Sequence, residues 1–218
     1  FSHISTASMV SFTDGRPIFC DLDQRTFTLD VESAKNQITD DTEVIVPVHL
    51  FGNACNIGEI QDFAKDNDLD IIWDAAQAHN TKYKGKDIGS FDDLVCYSFY
   101  PTKNMTTGEG GMITTNNTEL NEKIRLLREH GQTDKYYHPS LGLNYRMTDV
   151  EAAIGLKQLE KLDMFTEERR KNADYLTNRL EEIEGIIPPL VKDKIRHSYH
   201  QYTILLDLEI FDCTRDEF

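Results

Sequence analysis

Ile71-Ile72-Trp73-Asp74 carries an apolar run to a carboxylate, and Ala75-Ala76-Gln77-Ala78-His79 follows it. Val95-Cys96-Tyr97-Ser98-Phe99 then runs into Tyr100-Pro101-Thr102-Lys103, with Thr106-Thr107-Gly108-Glu109-Gly110-Gly111 just beyond. A carboxylate, an amide, a hydroxyl and a primary amine are each delivered just after a short apolar run. In open α/β sheets ligands bind at the carboxyl ends of strands, so Asp74, Ser98 and Lys103 are expected to meet in one site. Pyridoxal phosphate chemistry needs such a set. An amine must form an imine with the cofactor's aldehyde, and a carboxylate must hold the pyridine nitrogen protonated so that the ring draws off electrons. Hydroxyls and backbone N–H groups must bind the phosphate. The amine has to be usable near neutral pH, through desolvation or neighbouring cations. Gln77, three residues past Asp74, could donate to the ring oxygen.

Each residue also has a plainer reading. An Asp at a strand end commonly caps a helix or shapes a turn, and a Lys in a Pro/Thr/Gly loop is commonly a solvated charge. Gly108 to Gly111 serves equally well as a turn into the next strand, and the segment lacks both the GxGxxG and the GxxxxGK[ST] spacing. For His49, His79 and Glu109, packing and substrate contact are equally plausible. His200 reads as structural. Tyr97, Tyr100 and Tyr145 read as core or wall residues.

The elements that must position these groups alternate between strand and helix patterns. Short strands are expected at Pro17 to Asp21, Val44 to Leu50, Asp70 to Ala75, Leu94 to Phe99, Gly111 to Thr115 and Tyr202 to Leu208. Helices are expected over Val31 to Ile38, Asn56 to Asn67 with Asn56 as N-cap, and Thr118 to His130 with Gly131 as its stop. Two more are expected at Val150 to Leu162 and at Thr166 to Ile183. Thr214 reads as the N-cap of another. This spacing points to an α/β layer with a largely parallel, buried sheet. It divides the chain into residues 1–163, a large domain, and 164–218, a linker helix with the start of a smaller α+β domain.

The bulk composition sets limits. The 218 residues are 39% apolar and 28% charged, a soluble globular mixture, and no run approaches the ~20 apolar residues of a membrane span. A formal net charge of −15, spread along the chain, repels phosphate backbones and argues against nucleic acid as a partner. The four cysteines, Cys20, Cys55, Cys96 and Cys213, form no CxxC pair and show no metal-ligand spacing, which fits reduced thiols in the cytoplasm. The Phe1 end carries no signal-peptide pattern, and both ends look cut from a longer chain.

The combined string is far more specific than its parts. Asp74-Ala75-Ala76-Gln77-Ala78-His79, Ser98-Phe99-Tyr100-Pro101-Thr102-Lys103-Asn104 and Gly108-Glu109-Gly110-Gly111 closely resemble the DegT/DnrJ family of sugar aminotransferases. Pro47-Val48-His49-Leu50-Phe51-Gly52 upstream and Gly142-Leu143-Asn144-Tyr145-Arg146-Met147-Thr148 downstream resemble it too, in the same order. The resemblance implies the fold type I aminotransferase architecture, with a mostly parallel mixed sheet and a smaller C-terminal domain. It implies Lys103 as the lysine that binds pyridoxal phosphate and shuttles the proton, and Asp74 at the pyridinium nitrogen. Gln77 would lie by the ring hydroxyl, Ser98 would bind the phosphate, and Asn144 would reach the partner's cofactor phosphate across a homodimer with shared sites. It implies transfer of an amino group, from glutamate, to a nucleotide-linked keto-sugar. A cyclitol aminotransferase, a dehydratase of the same fold and a pyridoxal-phosphate-binding regulatory protein are the alternatives. Relatives that dehydrate instead carry His where Lys103 stands. The resemblance also implies a longer N-terminal segment with a phosphate loop and a ring-stacking aromatic, and places Phe1 to Ala7 in the strand and loop after it.

Overall fold

The computed structural model describes residues 2–91 and 94–218. The chain opens with helices α1 (Ile4–Phe12) and α2 (Val31–Lys35), then strand β1 (Val44–Ile45), helix α3 (Ile57–Asp66) and strand β2 (Asp70–Asp74). A hairpin of β3 (Lys82–Tyr83) and β4 (Lys86–Asp87) precedes β5 (Leu94–Ser98) and β6 (Gly111–Thr114). Helices α4 (Thr118–Arg128) and α5 (Asp149–Leu180) follow, and short strands β7 (Ile186–Ile187), β8 (Ile195–Arg196) and β9 (Leu205–Leu206) complete the order.

The central sheet runs β1-β2-β5-β6. β1, β2 and β5 are parallel, with Ile45 beside Ile71 and Asp74 beside Cys96, and β6 is antiparallel to β5 with Ser98 opposite Gly111. Alternation along β2 buries Ile71 and Trp73 on one face, where they join Val95 of β5 and Ile57, Ile60, Phe63 and Ala64 of α3. α3 docks there because its apolar residues recur at helical spacing. The other face carries Asp74, Cys96 and Ser98. The core thus holds one side of the sheet rigid while the polar ends of β2 and β5 stay accessible on the other. Burial of Trp73 at 1% exposure accounts for about 2–3 kcal/mol of apolar transfer alone.

Several expected elements change on folding. Val44 to Leu50 forms a ladder only at Val44–Ile45, because Pro47 has no N–H to give; the chain stays beside β2 through a bridge at Val48 and the Pro47 carbonyl accepting from Asp74 N–H at 2.9 Å. Pro17 to Asp21 joins no ladder, and Leu22 pairs with Leu29 instead. Tyr202 to Leu208 pairs only at Leu205–Leu206. Of the expected strand and loop at Phe1 to Ala7, Phe1 lies outside the described residues, and Ile4 to Ala7 is helical instead: α1 begins at Ile4, with His3 as its N-cap. The two expected helices after residue 149 are one helix of 32 residues. Nothing at Asp163-Met164-Phe165 breaks it, and Thr166 satisfies its hydroxyl on the Leu162 carbonyl at 2.8 Å. Its start is fixed by a Thr148–Glu151 capping box. Asn56 stands at the N-cap of α3 but does not cap it. Its side chain goes to Glu59 and to the Tyr83 hydroxyl.

Candidate functional site

Asp74 ends β2 half-buried, with both carboxylate oxygens accepting: Oδ1 from the Ala76 N–H at 3.0 Å and Oδ2 from the Thr6 hydroxyl at 2.7 Å. Its backbone is pinned to the 47–49 segment, its carbonyl accepting from His49 N–H at 2.9 Å. Ser98 ends β5 two residues beyond Asp74's neighbour Cys96, on the same face and about 7 Å further along the strand direction. The Cys96 thiol between them is pushed up to about 11 by burial and by the charge of Asp74. Gln77 follows in the turn after β2, where its Oε1 accepts from the Phe51 N–H at 2.8 Å, leaving the amide nitrogen as its donor.

Lys103 sits in the loop that joins β5 to β6. Phe99 closes that loop at its base, donating to the Gly110 carbonyl and accepting from Thr107 N–H, and Lys103 N–H donates to Tyr100 O at 2.9 Å. Gly110 has φ 140°, and a Cβ there would lie 2.7 Å from Thr107 Oγ1, so the return into β6 requires glycine. Burial pushes the Lys103 amine below the usual lysine value, opposed by the nearby Asp74 carboxylate. Desolvation and the counter-charge therefore act on this amine together, which suits an amine that must lose its proton and regain it. It opens on a cleft of about 510 Å³ lined also by Asn104, Thr106, Phe165, Arg169 and Asn172. A larger cleft, about 740 Å³, lies between α2, α3 and the β3–β4 hairpin and holds none of the expected site residues.

Asp74 and Ser98 thus end the two interior strands, and Gln77 and Lys103 follow them in the next turns, all at the carboxyl end of the sheet. Asn144 does not join them within this chain. It is exposed, bridged to Glu129, and its Oδ1 accepts from Arg146 N–H at 3.4 Å. Around it Leu141 and Tyr145 are 90% and 66% exposed, so Tyr145 is no core residue in the single chain. Glu109 is exposed, and its carbonyl accepts from the Thr107 hydroxyl.

The buried histidines support the site from behind. His49 stacks on Trp73 at 5.1 Å and accepts from Cys55 N–H at Nδ1, and burial pushes it down to about 3. His79 packs by Tyr97 and Phe99, on the sheet face opposite Asp74. Among the described residues neither of its ring nitrogens has a hydrogen-bond partner of good geometry, the Ser98 backbone favouring a proton only weakly; burial, then His200 and Lys103, push it down to about 4. His197 is held near 3 by burial and Arg170. All three are neutral when folded, whereas the unfolded chain takes up their protons below about pH 6.5. Stability is therefore full above that value and falls as pH drops, by about 2 kcal/mol per histidine at pH 5. Thermal melting between about pH 7 and 5 is expected to show a steep decline, and a flat profile would contradict these buried neutral rings.

The DegT/DnrJ/EryC1/StrS aminotransferase family model matches residues 1–218. The chain belongs to this family. Its relatives include a GDP-perosamine synthase of Caulobacter vibrioides, 39% identical over 99% of this chain and 59% of that protein. A pleiotropic regulatory protein of Geobacillus stearothermophilus is 42% identical over 94% of this chain and 56% of that protein. Among solved structures, DesV of S. venezuelae, crystallised with a ketimine intermediate, superposes with a TM-score of 0.94 at 31% identity, covering 99% of this chain and 57% of that one. The chain spans about three fifths of the length of the curated relatives it matches. Its mixed sheet is that of the fold type I aminotransferases.

For this family member, Thr6, Arg169 and His200 escape a reading of the sequence alone. Thr6 looks like any helix threonine until α1 folds over the end of β2. The other two are joined to the Lys103 loop only by long-range packing.

Proposed function

We propose that the chain is the lysine-bearing part of a pyridoxal-phosphate-dependent aminotransferase that moves an amino group from glutamate to a nucleotide-linked keto-sugar. The observation that carries this is a half-buried amine, Lys103, whose charge burial disfavours, within electrostatic reach of Asp74 at the carboxyl end of a neighbouring strand. The donor set fits the cofactor: one amine, one carboxylate held by two hydrogen bonds, one amide with a spare donor, and one hydroxyl at the end of β5. When bound, the cofactor supplies an electron sink beside the substrate carbon.

Lys103 would hold it covalently and then, as a free amine, take and return a proton at Nζ. Asp74 would keep the ring nitrogen protonated through its carboxylate, which two hydrogen bonds hold in place. Gln77 would orient the ring through its amide N–H, and Ser98 would bind the phosphate. Asn144 would serve the second copy in a homodimer. The exposed Leu141, Leu143, Tyr145 and Val150 around it make an apolar face of the kind a symmetric partner covers. The sugar substrate is favoured by the perosamine synthase relative. The four free cysteines accord with the cytoplasm.

The Geobacillus relative supports a second reading, a regulatory protein that binds the cofactor without turnover. Incubation of the full-length protein with pyridoxal phosphate is expected to give a visible absorbance band and, after borohydride, a mass increment on the Lys103 peptide. In a separate, unreduced sample glutamate should bleach the band and release 2-oxoglutarate. An adduct without that release selects the regulatory reading, and no adduct at all overturns both.

A further inference from the structure

Asn104, next to Lys103, is buried with 4% exposure. Its Nδ2 donates to the Ser198 carbonyl at 3.1 Å, and its Oδ1 lies 3.3 Å from His200 Nδ1. The Ser198–His200 segment is itself fixed from two other directions. Ser198 N–H donates to the Gly52 carbonyl at 3.0 Å, and the Thr81 hydroxyl donates to that carbonyl at 2.9 Å and stands 2.8 Å from Ser198 Oγ. On the far side Arg169 of α5 donates to the carbonyls of Tyr199 and His200 at 3.1 and 3.4 Å. The approach at Gly52 depends on glycine: its φ is 93°, and a Cβ would lie 2.5 Å from Ser198 Oγ and 3.0 Å from Tyr199 N.

The groups that face His200 are Lys103 and Asn104 from the loop after β5, His79 from the turn after β2, and Arg169 from α5, with Asp74 beside Lys103. Burial, reinforced by the positive charges of Lys103 and Arg169, pushes His200 down to about 4, so its ring is neutral at physiological pH and carries one N–H. Asn104 Oδ1 can only accept, which places that proton on Nδ1. A neutral ring is what this position allows, because a second cation beside Lys103 would be repelled.

We propose that His200 is a positioning residue for Lys103: its Nδ1–H, acting through Asn104 Oδ1, holds the lysine-bearing turn at the depth that keeps the amine from water. This rests on Lys103 being the reactive amine, and it adds a segment far along the chain to the machinery that prepares it. Without the His200–Asn104 hydrogen bond the turn loosens and Nζ hydrates. Since desolvation is the largest cause of the lowered value at Lys103, hydration moves the amine back toward an ordinary lysine.

Competitive acylation of amines by acetic anhydride, read on the Lys103 peptide by mass spectrometry between about pH 7 and 11, tests this without any cofactor. In His200→Phe, which keeps a ring but loses the N–H, the pH of half-maximal labelling is expected to rise by about half a unit or more. His200→Gln, which keeps a donor, is expected to restore it. Exposed Lys171 should be unmoved and serves as the internal standard. Asn104→Ser should shift Lys103 in the same direction, and adding His200→Phe to it should shift Lys103 no further, because the two residues act in series. A Lys103 profile unchanged in His200→Phe, or no recovery in His200→Gln, overturns the proposal. Should His200→Phe melt far below the parent protein, Asn104→Ser is read the same way, and an unmoved Lys103 there overturns it equally. The pyridoxal phosphate adduct is measured separately on the parent protein. Its absence would count against the proposed function and leave this titration to be judged on its own.

Discussion

Lys103→Ala is expected to lower amino transfer by about 10⁴-fold or more, with a melting temperature unchanged or slightly raised. Among the described residues the side chain makes no hydrogen bond, and the turn is held by the backbone of Lys103, Tyr100, Phe99 and Gly110 and by the side chain of Asn104. Its removal takes away a partly desolvated cation. A lysine whose folded value is lowered binds its proton less readily when folded than when unfolded, so it costs stability below its unfolded value, near 10.5, and ceases to do so above it. The advantage of alanine should therefore be largest near neutral pH and fade toward about pH 10 to 11. Lys103→Arg is the control: it keeps a cation in the loop but is never deprotonated, and it should be as inactive as alanine. Turnover of the full-length protein with glutamate and a keto-sugar nucleotide, with melting curves at both ends of that range, checks the pair. Retained turnover in Lys103→Ala would remove the lysine from the chemistry, and a collapsed melting temperature would make it structural.

The central sheet was legible because its signal is local. β2 and β5 are short runs of large apolar and β-branched residues that end in a polar side chain, and α3 repeats Ile57, Ile60, Phe63 and Ala64 at helical spacing. Failures came where a neighbouring segment overrides local preference. Pro17 to Asp21 has the residues of a strand but no edge to join. Val44 to Leu50 loses its ladder at Pro47, although it keeps its place beside β2. α5 is continuous although Asp163 interrupts its apolar spacing, and Asp163 serves as an acceptor for Asn80 Nδ2 at 2.8 Å. A polar residue that breaks periodicity can be a tertiary contact rather than a helix end.

The site was legible to the extent that its groups follow strands. Asp74 and Ser98 share a face because the register of β2 on β5 sets them two residues apart, and that follows from alternation once the pairing is known. The Lys103 loop needed the Gly110 return and the Phe99 closure, both suggested by the glycine-rich run. Thr6, His200 and Arg169 carry no such mark. Each meets the site across a separation of many residues, and no periodicity or spacing encodes a contact of that kind. Asn144 is the opposite case, marked by its motif and yet placed on an exposed ridge with no contact to Asp74 or Lys103 in the single chain.

Asp74→Asn separates the charge of that residue from its shape. The amide keeps an oxygen to accept from the Ala76 N–H, and the Thr6 hydroxyl can turn from donor to acceptor, so the strand end should hold and the melting temperature should move little. Two effects of the lost charge then oppose each other. Asp74 is the group that raises Lys103 against desolvation, so without it the amine should titrate at still lower pH and be more available as a nucleophile. The ring nitrogen of a bound cofactor, however, loses the carboxylate that would keep it protonated, and the electron sink weakens. The second effect should dominate, because it acts where charge develops during reaction. Turnover is expected to fall by about 10²–10³-fold, the scale of removing one preorganised electrostatic partner. The acylation midpoint of Lys103 should fall in the same variant. An amine that becomes more reactive in an enzyme that becomes slower is an outcome that a purely structural Asp74 does not produce. Turnover near the parental level, or a Lys103 midpoint that rises, would show that Asp74 does not act on the site through its charge.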